Sequence, residues 1–212
     1  MRGVVIGAHL RREDVEPLAE ALPVRGLFLS ALPIAADQTL GERELLLRVA
    51  QLRAQLLERA TFIAIRYGFA VWSAEEAESK CAVHLTRWQS LLERHRDRVE
   101  MTLKIAASSP RTRPSRHDFA SGAEYLKALH EATRAALVDP AFRARVEERI
   151  VPLTVQHRWL HRDEKSIELA SLVERSRVED VLAAGESLRG SDVAFLLSGP
   201  WPLEVFADDD RE

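Results

Sequence analysis

Cys81 is the single cysteine of the chain, and its spacing to Leu85, Trp88 and Leu92 places it on the apolar stripe of an expected helix. A thiol there is buried and inert, because a reactive thiolate needs partial exposure and a cationic neighbour. One cysteine also leaves no intramolecular disulfide, which fits a reducing compartment. His157 and His161 share a face of an expected strand and make a conceivable pair of metal ligands. With no third ligand at metal spacing, a surface pair is the expected reading. His84 and His95 flank a helix without an acidic ligand at metal spacing. Glu100 and Lys104 fall on the polar side of a strand, where cross-strand ion pairing competes with contact to a partner. Gly3 and Gly7 are too few and too far apart for a phosphate loop, and no nucleophile elbow is present. No catalytic, cofactor-binding or metal site is therefore expected. Were the chain an enzyme, Glu100, Lys104, Arg66 and His157 would be its titratable candidates.

The composition narrows the classes further. The chain of 212 residues, 46% apolar and 30% charged, is long enough for one large domain or two small ones. A net charge of −3 gives no global attraction to nucleic acid or anionic lipid. The apolar run Val4–Ile6 is too short for a signal peptide, and no stretch approaches a membrane span, so a cytoplasmic protein is expected.

The elements that must position these residues follow from periodicity. Gly3 to Ala8 reads as a strand, Arg11 to Leu22 as a weak helix ending at Pro23, and Val24 to Leu32 as a second strand stopped by Pro33. Thr39 and Glu42 match a capping box, behind which Leu45, Val49, Leu52 and Leu56 recur at helical spacing. Thr61 to Ile65 is β-rich. A second capping box at Ser73–Glu76 opens a helix that runs to about His95. Val99 to Ile105 alternates strictly between apolar and polar residues, which marks one buried and one wetter face. Ala106 to Arg116, with Arg111, Arg113 and Arg116, reads as an exposed loop.

Further boxes at Ser121–Glu124 and Ser176–Glu179, and Asp139-Pro140 as N-cap and first turn, open three more helices. Phe142, Val146 and Ile150 form the inner stripe of the middle one. Val151 to Trp159 and Ile167 to Val173 alternate as a hairpin pair. Val193 to Leu197, unbroken and apolar, reads as a last strand covered on both faces and ended by Gly199-Pro200-Trp201-Pro202, since proline cannot donate to a ladder. An acidic tail, Asp208-Asp209-Asp210, follows.

From Val99 the order is strand, helix, strand, strand, helix, strand. That is the split βαβ pattern of a ferredoxin-like domain, an antiparallel sheet with helices on one face. The expected fold class is α+β in two lobes: a small N-terminal α+β lobe at 1–72, a connecting helix at 73–96, the ferredoxin-like domain at 97–206 and the tail at 207–212. In this topology the last strand is an edge that needs cover, and two packed lobes are expected. RNA binding is set aside, because Val99–Ile105 carries no aromatic residue for stacking.

Several segments resemble one family, the gas-vesicle accessory proteins GvpF and GvpL. Gly199-Pro200-Trp201-Pro202 followed by Phe206 is similar to the family's closing signature, and Arg98 to Ile105 to its Arg-Val-Glu strand. Ile65-Arg66-Tyr67-Gly68 stands where the family has an Arg-Phe-Gly-Thr turn. Ser121 to Leu126 resembles its Gly-x-x-Tyr-Leu helix start, and Leu169 to Val181 its penultimate strand and helix. Tyr67-Gly68-Phe69 and the Leu-Glu-Val-Phe ending depart from the family pattern, leaving open an F-type role, an L-type role, or a single protein covering both.

The resemblance implies a non-enzymatic accessory or minor structural protein, cytoplasmic and gas-vesicle associated. Its implied partners are the main shell protein and other accessory proteins, not nucleic acid or membrane, and no cofactor is implied. Binding of the small hydrophobic shell protein would assist nucleation and assembly. The candidate partner-binding residues are Arg66, Tyr67, Gly68, Glu100, Lys104, Gly199, Pro200, Trp201 and Pro202. Trp201 and Arg66 have a second reading, as a lock between the lobes. The rival function is a small-molecule-binding enzyme or sensor on a ferredoxin-like scaffold.

Overall fold

The computed structural model describes residues 2–106, 114–135, 139–163, 166–190 and 193–207. It divides into two compact units, Met1–Val99 with Pro200–Glu212, and Glu100–Gly199. Arg111, Arg113 and the acidic run at 208–210 lie outside the described residues.

The first unit is built on β1 (Arg2–His9), which is buried from Gly3 to His9. β2 (Glu20–Val24) and β3 (Leu27–Ile34) form a hairpin, and β3 pairs antiparallel with β1. The hairpin turns on Arg25 and Gly26, both at positive φ (33° and 80°), the backbone that lets a two-residue turn follow the strand twist. β4 (Ile63–Ala64) and β5 (Ala70–Val71) both pair antiparallel with β1, giving the path β2-β3-β1-β4 with β5 also on β1. α1 (Arg43–Arg59) buries Leu45, Val49, Leu52 and Leu56, the stripe its spacing predicts. α2 (Ala74–Cys81) and α3 (Leu85–Arg94) follow.

Three expectations change here. Arg11 to Leu22 is not a helix. A 3-10 turn at Arg12–Asp14 precedes β2, because Pro17 and Pro23 bar an uninterrupted helix and Leu22 and Val24 find a buried face as a strand. Pro33 does not end β3. It pairs with Gly3 of β1 beyond the stretch where β2 lies alongside, so on that side no ladder donor is lost. The single helix expected from Ser73 to His95 is two, separated by a turn at Ala82–His84.

The second unit carries most of β6 (Arg98–Ala106), then α4 (Gly122–Ala135), α5 (Pro140–Arg149), β7 (Gln156–Asp163), β8 (Ser166–Glu174), α6 (Val178–Glu186) and most of β9 (Phe195–Trp201). Its sheet order, β7-β8-β6-β9, is the arrangement of a ferredoxin-like split βαβ domain. Met101, Leu103 and Ile105 of β6, with Leu169 and Val173 of β8, pack against Phe142 and Val146 of α5 and Val181 of α6. The two helices thus share one face of the sheet, as the alternation predicts.

The helix starts are mostly as read. Ser73 Oγ accepts from Glu76 N, Ser121 and Glu124 bond reciprocally, and Asp139 caps Phe142 N. At Thr39 only the return bond forms, from Thr39 N to Glu42 Oε1, and the helix starts one residue after Glu42. α6 begins after Arg177, with no side-chain cap from Ser176. Residues Val151–Leu153 make a 3-10 turn, and β7 starts only at Gln156.

The last strand differs most. β9 runs through Gly199 and Pro200 to Trp201, and it is not covered on both faces: Leu196 is 63% and Trp201 48% exposed. Its place at the end of the sheet explains the proline. An end strand has one side without ladder partners, so proline is tolerated there. Among the described residues no helix is long and apolar enough to cross a membrane.

Candidate functional site

The turn Arg66–Gly68 exists because two short strands share one neighbour. Ile65 N donates to Ile6 O and Val5 N donates to Phe69 O, so the chain leaves β1 at Ile65 and rejoins it at Phe69. The three residues between stand out from the sheet. Gly68 sits at φ +97°, a region that side chains avoid, with nothing within 4 Å of a would-be Cβ. Gly68→Ala is therefore expected to cost about 1–2 kcal/mol through backbone strain alone, measurable by urea unfolding.

Arg66 is exposed and Tyr67 half-buried. The Tyr67 hydroxyl donates to Leu40 O, just before α1, and Arg53 of α1 donates through Nη2 to Ile65 O. The partly buried Arg53 guanidinium has its pKa lowered by desolvation, against which the Glu204 carboxylate acts. Sequence reading passed over Arg53, although its position between Leu52 and Leu56 marks a cation at the border of an apolar stripe.

The closing segment is fixed from both ends. Gly199 lies at φ +130°, and a Cβ there would stand 2.7 Å from Met101 Sδ and 2.9 Å from Glu100 O, so glycine is required by conformation and by space. Pro200 is exposed, Trp201 exposed and Pro202 half-buried. Leu203 is fully buried: its N–H donates to Phe62 O (2.9 Å), its carbonyl accepts from Ala64 N (3.0 Å), and it bridges Ile63 in parallel. Phe206 is buried as well.

In the first unit, then, the chain that continues from Pro200-Trp201-Pro202 is stitched to β4, two residues ahead of the Arg66–Gly68 turn. Behind the stitch lies Phe62, fully buried and stacked on His9 with ring centroids 4.9 Å apart. His9 Nε2 is 3.0 Å from Ser30 Oγ, and burial lowers the imidazole pKa to about 3.

Glu100 and Lys104 sit in the second unit, where Glu100 O neighbours Gly199. The wetter face expected of β6 is wet at one end only: Glu100 is buried, Thr102 half-buried and Lys104 exposed. Cover on that face is thus confined to the start of β6. Lys104 Nζ lies 3.8 Å from Glu168 Oε1 of β8, a half-exposed cross-strand pair worth at most about 1 kcal/mol.

The remaining candidates carry no chemistry together. Cys81 is buried, which raises its thiol pKa, and His84 stacks on Trp88. His157 is exposed on β7, opposite Ser171. The side chain of His161 lies outside the described residues. Among the described residues no group of three or more His, Cys, Asp or Glu could hold a metal ion.

Comparison with known proteins gives a consistent result. The sequence model of one family, described as gas vesicle synthesis protein GvpL/GvpF, matches residues 18–207. In fold the chain is similar to the crystal structure of the gas vesicle protein GvpF from Anabaena sp. PCC7120. The TM-score is 0.70 at 13% identity, over 98% of this chain and 96% of that one. It is likewise similar to GvpF from Microcystis aeruginosa, with a TM-score of 0.72 at 11% identity over 97% and 98% of the two chains. Identities this low speak to the fold alone. No curated protein matches in sequence.

Proposed function

Since the chain belongs to the GvpL/GvpF family of gas vesicle synthesis proteins, we propose that it is a non-enzymatic accessory protein of gas vesicles. It binds the small hydrophobic shell protein and assists nucleation and assembly of the vesicle, alongside other accessory proteins. One observation carries this reading: the indole of Trp201, on the end strand of a sheet and flanked by two prolines, is 48% exposed. A large rigid aromatic group loses little conformational freedom when a partner covers it, which suits an anchor for an apolar surface.

Within this reading the residues divide by what they can touch. Arg66, Tyr67, Pro200, Trp201 and Pro202 supply contact, and exposed Lys104 supplies it in the second unit. Gly68, Gly199 and buried Glu100 hold the contacting backbone in shape.

The test is retention of co-expressed shell protein by the tagged chain. Trp201→Ala is expected to stay folded, because the half-exposed ring contributes little to the core, and to reduce retention at least tenfold. That corresponds to the loss of an interface anchor worth about 1.4 kcal/mol or more. Arg66→Ala is expected to weaken retention less, since its side chain is on the rim. If the wild-type chain retains no shell protein, direct binding is wrong.

A further inference from the structure

A second surface of the first unit, lined by none of the residues used above and independent of that reading, has the makings of a peptide site. A groove of about 290 Å³ crosses β1, β3 and the end strand β2, and the segment Val71–Glu75 closes its far side. Its floor is low because the residues there are Gly3 and Ala31. A Cβ on Gly3 would stand 3.2 Å from Ala31 Cβ, so no larger side chain fills the space from below. Leu22 and Val71 give it apolar walls, and Trp72 stands at its edge with the indole 57% exposed. The volume is below the range of pockets for drug-sized ligands and suits one or two side chains. Among the described residues β2 has a strand neighbour on one side only, so an extended chain can lie along it.

Charge selects the occupant. Glu20 and Glu75 line the groove, and both are exposed. Among the described residues neither is in an ion pair. The neighbouring carboxylates are already matched, Glu76 by Lys80 at 2.7 Å and Glu78 by Arg25 at 2.8 Å. Glu75 accepts a hydrogen bond from Ser73, which lowers its pKa and keeps it ionised. Near the groove the Arg2 guanidinium lies over the Trp72 ring at 5.9 Å from its centroid, and Lys80 is held by Ala70 O and Glu76. The Arg2 contact shows that the indole accepts a cation on one face, which leaves its other face and edge for a ligand's cationic stem.

We propose that this groove binds an extended segment of a partner chain in which a lysine or arginine stands among small apolar residues. The apolar side chains rest on Gly3, Ala31 and Val71, the cationic stem lies against Trp72, and the head group is received by Glu20 and Glu75. An anionic or purely apolar segment leaves two carboxylates facing the ligand without a counter-charge, so it is discriminated against.

The experiment is an NMR titration of the full chain with two hexapeptides, acetyl-Thr-Val-Lys-Val-Thr-Val-amide and the same peptide with Glu in place of Lys. The lysine peptide is expected to give saturable shifts of the Gly3, Leu22 and Ala31 amides and of the Trp72 indole N–H. The glutamate peptide should bind at least tenfold more weakly. The surface double variant Glu20→Gln/Glu75→Gln, with an otherwise unchanged spectrum, should lose the preference. Equal affinity for both peptides, shifts centred elsewhere, or no saturable shift with the lysine peptide would overturn the proposal.

Discussion

At pH 4 the protein is expected to be about 3 kcal/mol less stable than at pH 7 on account of His9 alone. His9 is fully buried on β1, its ring stacked on Phe62, and the group facing Nε2 is the neutral Ser30 hydroxyl, which itself bonds to Gly7 O. With no described anion at hand, burial holds the imidazole neutral and lowers its pKa to about 3. In the unfolded chain the same group titrates near 6.5. Between those values the unfolded state binds a proton that the native state does not, so stability rises with pH. The contribution is complete above about pH 6.5 and is lost as the pH falls toward 3, at about 1.4 kcal/mol per pH unit. Glu42, Glu75 and Glu76 have lowered pKa values through their hydrogen bonds, and they add to the loss only below the ordinary carboxylate range. Urea unfolding between pH 5 and 6.5 therefore separates histidine from carboxylate titration, and comparison with a His9 variant singles out His9 among the seven histidines. His9→Gln is expected to flatten that slope whatever its own stability; an unchanged slope would mean the imidazole is protonated in the fold.

Phe62→Ala is expected to cost about 3–5 kcal/mol, the range for deleting a buried aromatic ring. Phe62 is fully buried and its ring occupies the space over Gly7, where an added Cβ would meet it at 2.3 Å. Truncation leaves a cavity between Gly7 and the His9 ring. It also loosens the segment whose carbonyl receives Leu203 N, so the stretch after Trp201 should exchange its amide hydrogens faster than in the wild type. A loss below about 1 kcal/mol in urea unfolding would show that the site collapses without strain and that the stack contributes little.

Both effects concern features that were only partly legible in the chain. The second unit was readable because its signals are long: strict alternation from Val99 to Ile105, helical stripes at Phe142, Val146 and Ile150, and an element order that allows few topologies. The first unit was harder. β4 and β5 are two residues each, below the length at which alternation means anything. The hairpin at Arg25-Gly26 lacks the Asn-Gly or Asp-Gly that announces such a turn, so in sequence β2 resembles the end of a helix. For β9, Pro200 reads as a stop, yet an end strand accepts it.

The same limit applies to the candidate site. The rigidity of Gly199-Pro200-Trp201-Pro202 follows from residue type, whereas the outward direction of Trp201 depends on the pairing of Leu203 with Phe62 and Ala64. Arg66 and Trp201 are 135 positions apart in sequence, and no periodicity joins them. What joins their segments is one parallel bridge, Ile63 to Leu203. Glu100 illustrates the opposite error: alternation assigns it to the wet face, yet the fold covers that face at the start of β6 and leaves Lys104 exposed further along.

Contact between the Trp201 corner and the shell protein is tested most directly by placing a photo-crosslinking amino acid at position 201 and irradiating cells that make both proteins. A control chain carries the same residue in place of Glu58, exposed on α1. The expected result is an adduct of this chain with the shell protein from position 201 and none from position 58. Adducts of equal yield from both positions, or none from 201 while the shell protein is made, would contradict the assignment.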